Sequence, residues 1–269
     1  MSSTRDTPLG DVCALSRKGS AGMCRLFGHI SSSPTTVSGA LGEDTSAFTA
    51  LSGRHKDGWG LVGLDGSGAQ RTGDTLAARE SPRYASASTG FTSTGLLMHF
   101  RLASPGTPVI DADLHPFETV LPGLGPVAFA HNGHMFDVPA LRRLVAGYSD
   151  APLRGTTDSE SYAQLVFALM RDLSPAEALS TAAGLIQEVT DVVALNALLL
   201  TPSELHALQW LDPAPRSDGF RNPLDPALFV MRSRTSESGV TVASNEWEPS
   251  GEGWENLPDR EVLSFARAA

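Results

Sequence analysis

Cysteine is scarce in this sequence, since the 269 residues include only Cys13 and Cys24. Two cysteines are too few for a disulfide-stapled secreted scaffold or a cysteine-rich zinc site. Long apolar runs are missing as well. The longest, residues 192–200, is interrupted by Asn196 and falls short of the roughly 20 residues of a membrane span. Residues 1–22 contain no apolar stretch typical of a signal peptide. We therefore expect a soluble, cytoplasmic protein.

Positive charge is also in short supply. The chain has 20 Lys and Arg against 30 Asp and Glu, a formal net charge of -10, and no basic cluster overrides that balance. Such a surface is unsuited to nucleic acid or an anionic membrane, so we expect a small-molecule or protein partner. A hydrophobic content of 41% is enough to form a full core, and we expect residues 23–269 to fold as a single domain.

Short alternating or apolar runs predict strands on both sides of a helical segment. The predicted strands cover residues 25–30, 59–64, 95–102, 127–131, 194–201, 204–211, 227–232, 239–243 and 260–265. Capping sequences that begin at Thr157 and Ser174 indicate two successive helices. Two proline-rich stretches, residues 103–126 and 212–226, are expected to be loops. This order favours packed antiparallel sheets with helix layers over a parallel doubly wound fold.

Cys24 directly follows Met23, an unusual pair to find inside a chain. A thiol is a good nucleophile only as a thiolate, so a catalytic cysteine needs a base. If Met23 were removed, Cys24 would carry its own base, because a free α-amino group has a pKa of about 7.7–8.0. The alternative is a small buried hydrophobe on a strand, the commoner fate of a free cysteine. This segment alone leaves both interpretations open.

Three other segments carry polar residues that could bind a ligand. Arg101 projects from a predicted strand among apolar neighbours, where it could be a buried salt-bridge partner or a clamp for a carboxylate. Asn132-Gly133 could be a hairpin turn, or it could end a strand with both residues directed at a ligand oxygen. We favour the second, because the helix cap Asp137 follows and a return strand does not. Asp158 heads a helix, where ordinary capping would also explain it.

Taken in order, these segments resemble the class II glutamine amidotransferases, which are N-terminal-nucleophile hydrolases. The similar stretches are Cys-Arg-Leu-Phe-Gly after Met23, RHKDGWGL at 54–61, HFRLAS at 99–104, HPFE at 115–118, AHNG at 130–133 and TTDSE at 156–160. Residues 241–258 are similar to the tail of the stand-alone members, the group that includes the γ-glutamyl hydrolase of ergothioneine biosynthesis. The resemblance implies an α+β fold, a four-layer αββα sandwich of antiparallel sheets.

The resemblance also implies a role for each of five residues. Cys24 would be the nucleophile, with its own α-amine as base. Arg101 would hold the α-carboxylate of glutamine or a γ-glutamyl compound, and Asp158 would hold its α-ammonium group. The side-chain amide of Asn132 and the N–H of Gly133 would form the oxyanion hole. A γ-glutamyl thioester would form on Cys24, release ammonia or an amine, and be hydrolysed to glutamate.

No cofactor and no metal are expected. His131 and His134 have the spacing of metal ligands on a helix, but they flank an Asn-Gly pair and lack a third ligand. Larger members of the family carry a second domain that consumes the ammonia, whereas the residues after 170 suffice only to complete the hydrolase fold. We favour simple hydrolysis of a γ-glutamyl amide. The alternative is a glutaminase subunit that passes ammonia to a separate synthase.

Residues 1–22 pose a problem for this mechanism, because they leave Cys24 with a peptide bond in place of its free amine. They could follow from a wrongly assigned start, with translation beginning at Met23. They could be a propeptide, or they could be retained in a binding relative without turnover. We favour the first explanation, because a methionine directly before the nucleophile is what a start codon would leave.

Overall fold

The computed structural model describes residues 24–66, 68–104, 106–212 and 226–268. Its strands form two sheets, and every paired strand runs antiparallel to its neighbour. Twelve strands are numbered in chain order: β1 (Arg25–Thr35), β2 (Trp59–Asp65), β3 (Gly68–Asp74), β4 (Ser93–Phe100), β5 (Phe117–Leu121), β6 (Gly125–Met135), β7 (Val192–Leu200), β8 (Glu204–Leu208), β9 (Met231–Ser236), β10 (Gly239–Ser244), β11 (Glu255–Asn256) and β12 (Val262–Ala266). The larger sheet has the order β11-β9-β10-β1-β4-β2-β3, and the smaller one has the order β12-β8-β7-β6-β5.

Six α-helices lie among the described residues: α1 (Val37–Leu41), α2 (Thr45–Ala50), α3 (Pro82–Gly90), α4 (Val138–Ala146), α5 (Asp158–Leu169) and α6 (Pro175–Val189). The three predicted caps are confirmed. The side chains of Asp137, Thr157 and Ser174 each accept a backbone N–H three residues further on. At α6 the capping box is reciprocal, since Glu177 also accepts from the backbone N–H of Ser174. These caps satisfy N–H groups that have no partner inside the helix.

Side-chain alternation along the strands produces three apolar layers. In β4, Leu96 and Met98 face α1, α2 and α3, whereas Leu97 faces the second sheet. In β7, Leu198 packs between the sheets and Leu199 packs against α5 and α6. The molecule is therefore the expected α+β sandwich, with helices, two antiparallel sheets and helices in four layers. No helix among the described residues is long and apolar enough to cross a membrane.

Several local predictions were wrong. The stretch predicted as a loop at residues 103–126 contains β5, and a helical turn at Pro226–Phe229 replaces the start of the strand predicted at 227–232. Asn132-Gly133 does not end a strand, because β6 continues to Met135 after a shift in register beyond Gly133. The strand β3 was missed because it is a largely exposed edge strand without apolar alternation. Most of the loop predicted at 212–226 lies outside the described residues.

Candidate active site

Cys24 lies just before β1, whose first paired residue is Arg25 opposite Phe100 of β4. The backbone N–H of Leu102 donates to the Cys24 sulfur at 3.4 Å, and the carbonyl of Leu102 lies 3.6 Å from it. Burial raises the pKa of the thiol. The Leu102 hydrogen bond and the positive charges of Arg101 and Arg25 lower it, and the negative charge of Asp158 raises it. The charges proposed to hold the two ends of a substrate thus both act on this sulfur.

Arg101 directly follows β4 and is 3% exposed. One terminal nitrogen lies 3.5 Å from a carboxylate oxygen of Asp113 and donates to the carbonyl of Pro108 at 3.1 Å. The other, Nη1, makes no hydrogen bond within the described part of the chain. A guanidinium held on one side and free on the other can accept a carboxylate on the free side.

The backbone around Arg101 is held by the turn before β2. Its N–H donates to the carbonyl of Gly58 at 2.8 Å, and its carbonyl accepts from the N–H of Asp57 at 3.0 Å. The Asp57 carboxylate then accepts the N–H of Ala103 at 2.9 Å. Gly58 has a φ of 114°, a conformation that favours glycine. The stretch DGWG therefore positions Arg101, while Trp59 itself packs in the core against Tyr84 at 5.2 Å between ring centroids.

Asn132 and Gly133 lie in β6, opposite Asn196 and Leu195 of β7. Asn132 is fully buried, and neither polar atom of its side chain makes a hydrogen bond within the described residues. A Cβ at Gly133 would lie 1.8 Å from the carbonyl oxygen of Ala194, so only glycine fits there. Since buried polar groups are nearly always paired, the bare amide of Asn132 indicates a place for a ligand atom or a water molecule.

Asp158 is the first residue of α5, and its side chain is 16% exposed. One carboxylate oxygen accepts the N–H of Met135 at 2.9 Å, and the other accepts the N–H of Ser159 at 2.8 Å. The ordinary capping role belongs to Thr157. A carboxylate has about four acceptor positions, so Asp158 has capacity left for an ammonium group. Its bond to Met135 also ties α5 to the strand that carries Asn132.

Three carboxylates around this site were not assigned a role from the sequence. The first is Asp57, which accepts the N–H of Ala103. The second, Asp113, is fully buried and accepts both the N–H and the hydroxyl of Thr156, at 2.7 and 3.0 Å. Asp113 therefore links Arg101 to the segment that precedes Asp158. Glu246 pairs with Arg25, the neighbour of Cys24. Asp57 and Glu246 lie within stretches that resemble the family, whereas no local pattern marks Asp113.

The histidines near this site are involved in packing and hydrogen bonding. His131 lies 2.9 Å from the hydroxyl of Ser159 and 3.4 Å from the carbonyl of Ala194. The rings of His99 and His115 lie with their centroids 4.0 Å apart. Burial, followed by neighbouring positive charge, lowers the pKa of both well below its usual range. They are therefore neutral rings at neutral pH.

A separate cleft of about 1040 Å³ opens between the free edges of β3 and β5 and the side of α5. None of Cys24, Arg101, Asn132, Gly133 and Asp158 lines it. The cleft is thus distinct from the arrangement around the thiol.

Comparison with known proteins identifies the family. The family described as glutamine amidotransferases class-II matches residues 23–208, which is more than half of the chain. The chain therefore belongs to the class II glutamine amidotransferases, whose members are amidohydrolases that act on the C–N bond of the glutamine amide. No curated protein matches the chain.

Solved structures share the fold. The chain is similar to an allosteric regulatory enzyme of purine biosynthesis, with a TM-score of 0.61 and 17% identity over 90% of this chain and 49% of that one. Glutamine phosphoribosylpyrophosphate amidotransferase from B. subtilis gives a TM-score of 0.57 and 16% identity, over 90% and 49%. A class-II domain protein from Silicibacter pomeroyi gives 0.57 and 19%, over 90% and 97%. The chain thus spans about half the length of the first two proteins and nearly all of the third.

Proposed function

We propose that this protein hydrolyses the γ-amide of glutamine or of a γ-glutamyl compound through a thioester on Cys24. One arrangement carries the proposal: Leu102, the residue after Arg101, donates its N–H to the sulfur of the partly buried Cys24 at 3.4 Å, and the opposite charges of Arg101 and Asp158 both shift the pKa of that thiol. An α-amino acid has a carboxylate and an ammonium group at one end, and these two residues match them. The side chain of a γ-glutamyl group would then extend toward the sulfur.

The chemistry needs only groups from this chain. With the amine of Cys24 free, that amine takes the thiol proton, and the thiolate attacks the γ-carbonyl carbon. The Asn132 amide and the Gly133 N–H donate to the oxyanion that develops. The C–N bond breaks as the amine returns the proton to the leaving nitrogen, and a γ-glutamyl thioester remains. Water then attacks the thioester, releasing glutamate and restoring the thiol.

Two observations support these roles for Arg101 and Asn132. The free Nη1 of Arg101 and both side-chain polar atoms of Asn132 are buried without a hydrogen bond in the described residues. Leaving such groups unpaired costs about 1–3 kcal/mol each, so a substrate that pairs with them gains that free energy on binding. Other buried groups, such as the hydroxyls of Ser93 and Tyr162, also lack a hydrogen bond in the described residues, so the support comes from the match of Arg101 and Asn132 to the substrate's carboxylate and oxyanion.

Hydrolysis of a γ-glutamyl amide is favoured over delivery of ammonia to an attached domain. Hydrolysis needs only the residues described above and water, whereas delivery of ammonia needs an acceptor domain as well. The second candidate is a glutaminase subunit that passes ammonia to a separate synthase. That candidate predicts weak glutamate release alone and stimulation when the partner is added.

The first experiment is to produce the protein from Met23, verify by intact mass that Cys24 is the first residue, and measure glutamate release from glutamine and from γ-glutamyl amides. Cys24→Ala should abolish release and leave the melting temperature nearly unchanged. A glutamine analogue with an electrophilic γ-carbon tests the attack directly. It should form a covalent bond to Cys24 if that thiol is the nucleophile, and the intact mass of the protein should increase by the mass of the bound analogue. The longer form that retains residues 1–22 should bind glutamate without turnover. Undiminished glutamate release by Cys24→Ala would refute the proposal.

A further inference from the structure

The first residue of β1 connects the nucleophile to a distant carboxylate. Arg25 is 1% exposed, and its Nη1 donates to the carbonyl oxygen of Cys24 at 2.7 Å. Its other terminal nitrogen forms an ion pair with a carboxylate oxygen of Glu246, which follows β10. One guanidinium thus bridges the backbone of Cys24 and a residue from the other end of the chain, as the planar fork of arginine allows.

Glu246 is itself held firmly. Its side chain is 14% exposed, and its carboxylate lies 3.1 Å from a guanidinium nitrogen of Arg54 and 3.4 Å from the ring of the buried His55. Its backbone has a φ of 85°, a left-handed conformation that non-glycine residues rarely adopt. Such strain persists only where surrounding contacts enforce it, and it is concentrated at functional sites.

An N-terminal nucleophile has a particular need for such support. Its amine must stay free to act as base, so no preceding peptide bond restrains it. Pairing of β1 with β4 begins only at Arg25, one residue later. The carbonyl of Cys24 is therefore the main-chain group through which the residue can be oriented, and Arg25 holds that group.

We propose that Glu246 is a positioning residue for the hydrolysis, acting through Arg25 to fix the backbone of Cys24 and so aim its thiol and amine at the substrate. This inference rests on the proposed function, because it assigns Cys24 as the N-terminal nucleophile. Glu246 does not touch the substrate in this scheme. Its carboxylate also balances the positive charge that Arg25 places beside the thiol.

An ion pair with only a structural role would contribute to stability without affecting the chemistry. Removing the negative charge of Glu246 distinguishes that role from a positioning role. Burial raises the pKa of Glu246, but the hydrogen bond from His55 and the charge of Arg25 lower it to about 2, so the group is an anion throughout the working range. Replacing it with neutral glutamine leaves the Arg25 cation uncompensated beside Cys24. Positive charge favours thiolate over thiol and amine over ammonium, so both pKa values should fall.

The test compares Glu246→Gln with Glu248→Gln, a matched change at an exposed glutamate two residues away. For Glu246→Gln we expect kcat to fall by about 10- to 100-fold, as misplacement of a reacting group does, with KM changed less than about twofold. The midpoint for alkylation of Cys24 by iodoacetamide, followed against pH, should move to lower pH. Glu248→Gln should match the unchanged enzyme in kcat, KM and alkylation midpoint.

A second variant covers the case in which Glu246→Gln does not fold. Arg25→Lys keeps the charge, but its single ammonium cannot reach both acceptors in the same way, so kcat should fall while the alkylation midpoint stays near its original pH. Unchanged kcat in either folded variant would overturn the inference. So would a kcat loss in Glu246→Gln with no shift of the midpoint. Glutamate release by Cys24→Ala separates this result from failure of the proposed function, because that variant would retain turnover only if Cys24 were not the nucleophile.

Discussion

Replacing Asn132 with alanine should reduce kcat without unfolding the protein. Its side-chain amide is fully buried and makes no hydrogen bond within the described residues, so its removal breaks none of those that the structure contains. The small cavity left behind is offset by the loss of an unsatisfied polar group, and we expect a change in unfolding free energy within about 1 kcal/mol. Loss of one oxyanion-hole donor lowers kcat by about 10²–10³.

Asn196 provides the matched control, because it lies opposite Asn132 in the pairing of β6 with β7 and is also fully buried. Its amide donates to the carbonyl of Phe229, and its oxygen accepts the N–H of Trp210 at 2.9 Å. Asn196→Ala leaves both backbone groups unpaired, at about 1–3 kcal/mol each. The unfolding free energy should therefore fall by roughly 2–6 kcal/mol, which lowers Tm by roughly 5–20 °C.

The assay measures glutamate release and calorimetric Tm on both variants, produced with Cys24 as the first residue. The expected pattern is a large loss of kcat with a stable fold for Asn132→Ala, and a lower Tm for Asn196→Ala. If Asn132→Ala keeps kcat within about threefold of the original, the oxyanion-hole role fails, since that role requires a far larger loss. If the Tm of Asn132→Ala falls as far as that of Asn196→Ala, the side-chain amide of Asn132 has a structural hydrogen-bond partner and is not reserved for the substrate.

Two further predictions concern pH and the support of Arg101. Burial, followed by the charge of Arg234, lowers the pKa of His29 from 6.5 to about 4, so the unfolded chain binds a proton before the folded one does. The unfolding free energy that depends on His29 is complete above pH 6.5 and declines by about 3 kcal/mol as pH falls to 4. Urea unfolding at several pH values should therefore show a smaller loss of unfolding free energy for His29→Gln than for the original protein. Asp113→Asn removes the carboxylate beside the buried Arg101 and should lower the unfolding free energy by about 3–5 kcal/mol. Added glutamate should raise the Tm of Asp113→Asn more than that of the original protein, because its α-carboxylate replaces the missing charge; an equal rise in both would argue against carboxylate binding by Arg101.

Strands and helices with strong local patterns could be predicted from the sequence. The apolar run at residues 25–30 and the alternating faces at 96–100 have one side buried on helices and the other on the second sheet, which is why they read clearly as strands. The capping sequence at Ser174 forms a reciprocal box because all its contacts lie within one helical turn. By contrast, β3 and β5 are edge strands without regular apolar alternation, and their pairing partners decide their conformation.

The sequence by itself, through motifs in a fixed order, determined the family and supplied the five candidate site residues. Each of those residues lies in a short motif that can be recognised locally, such as Asp158 directly after the helix cap Thr157. The supporting residues depended on tertiary structure alone. Glu246 reaches Arg25 across 221 residues of sequence, and Asp113 meets Thr156 across 43. A carboxylate carries no local sign of which distant cation or N–H it will meet, because the pairing of β10 with β1 decides the contact of Glu246, and the position of the α5 N-terminus decides that of Asp113.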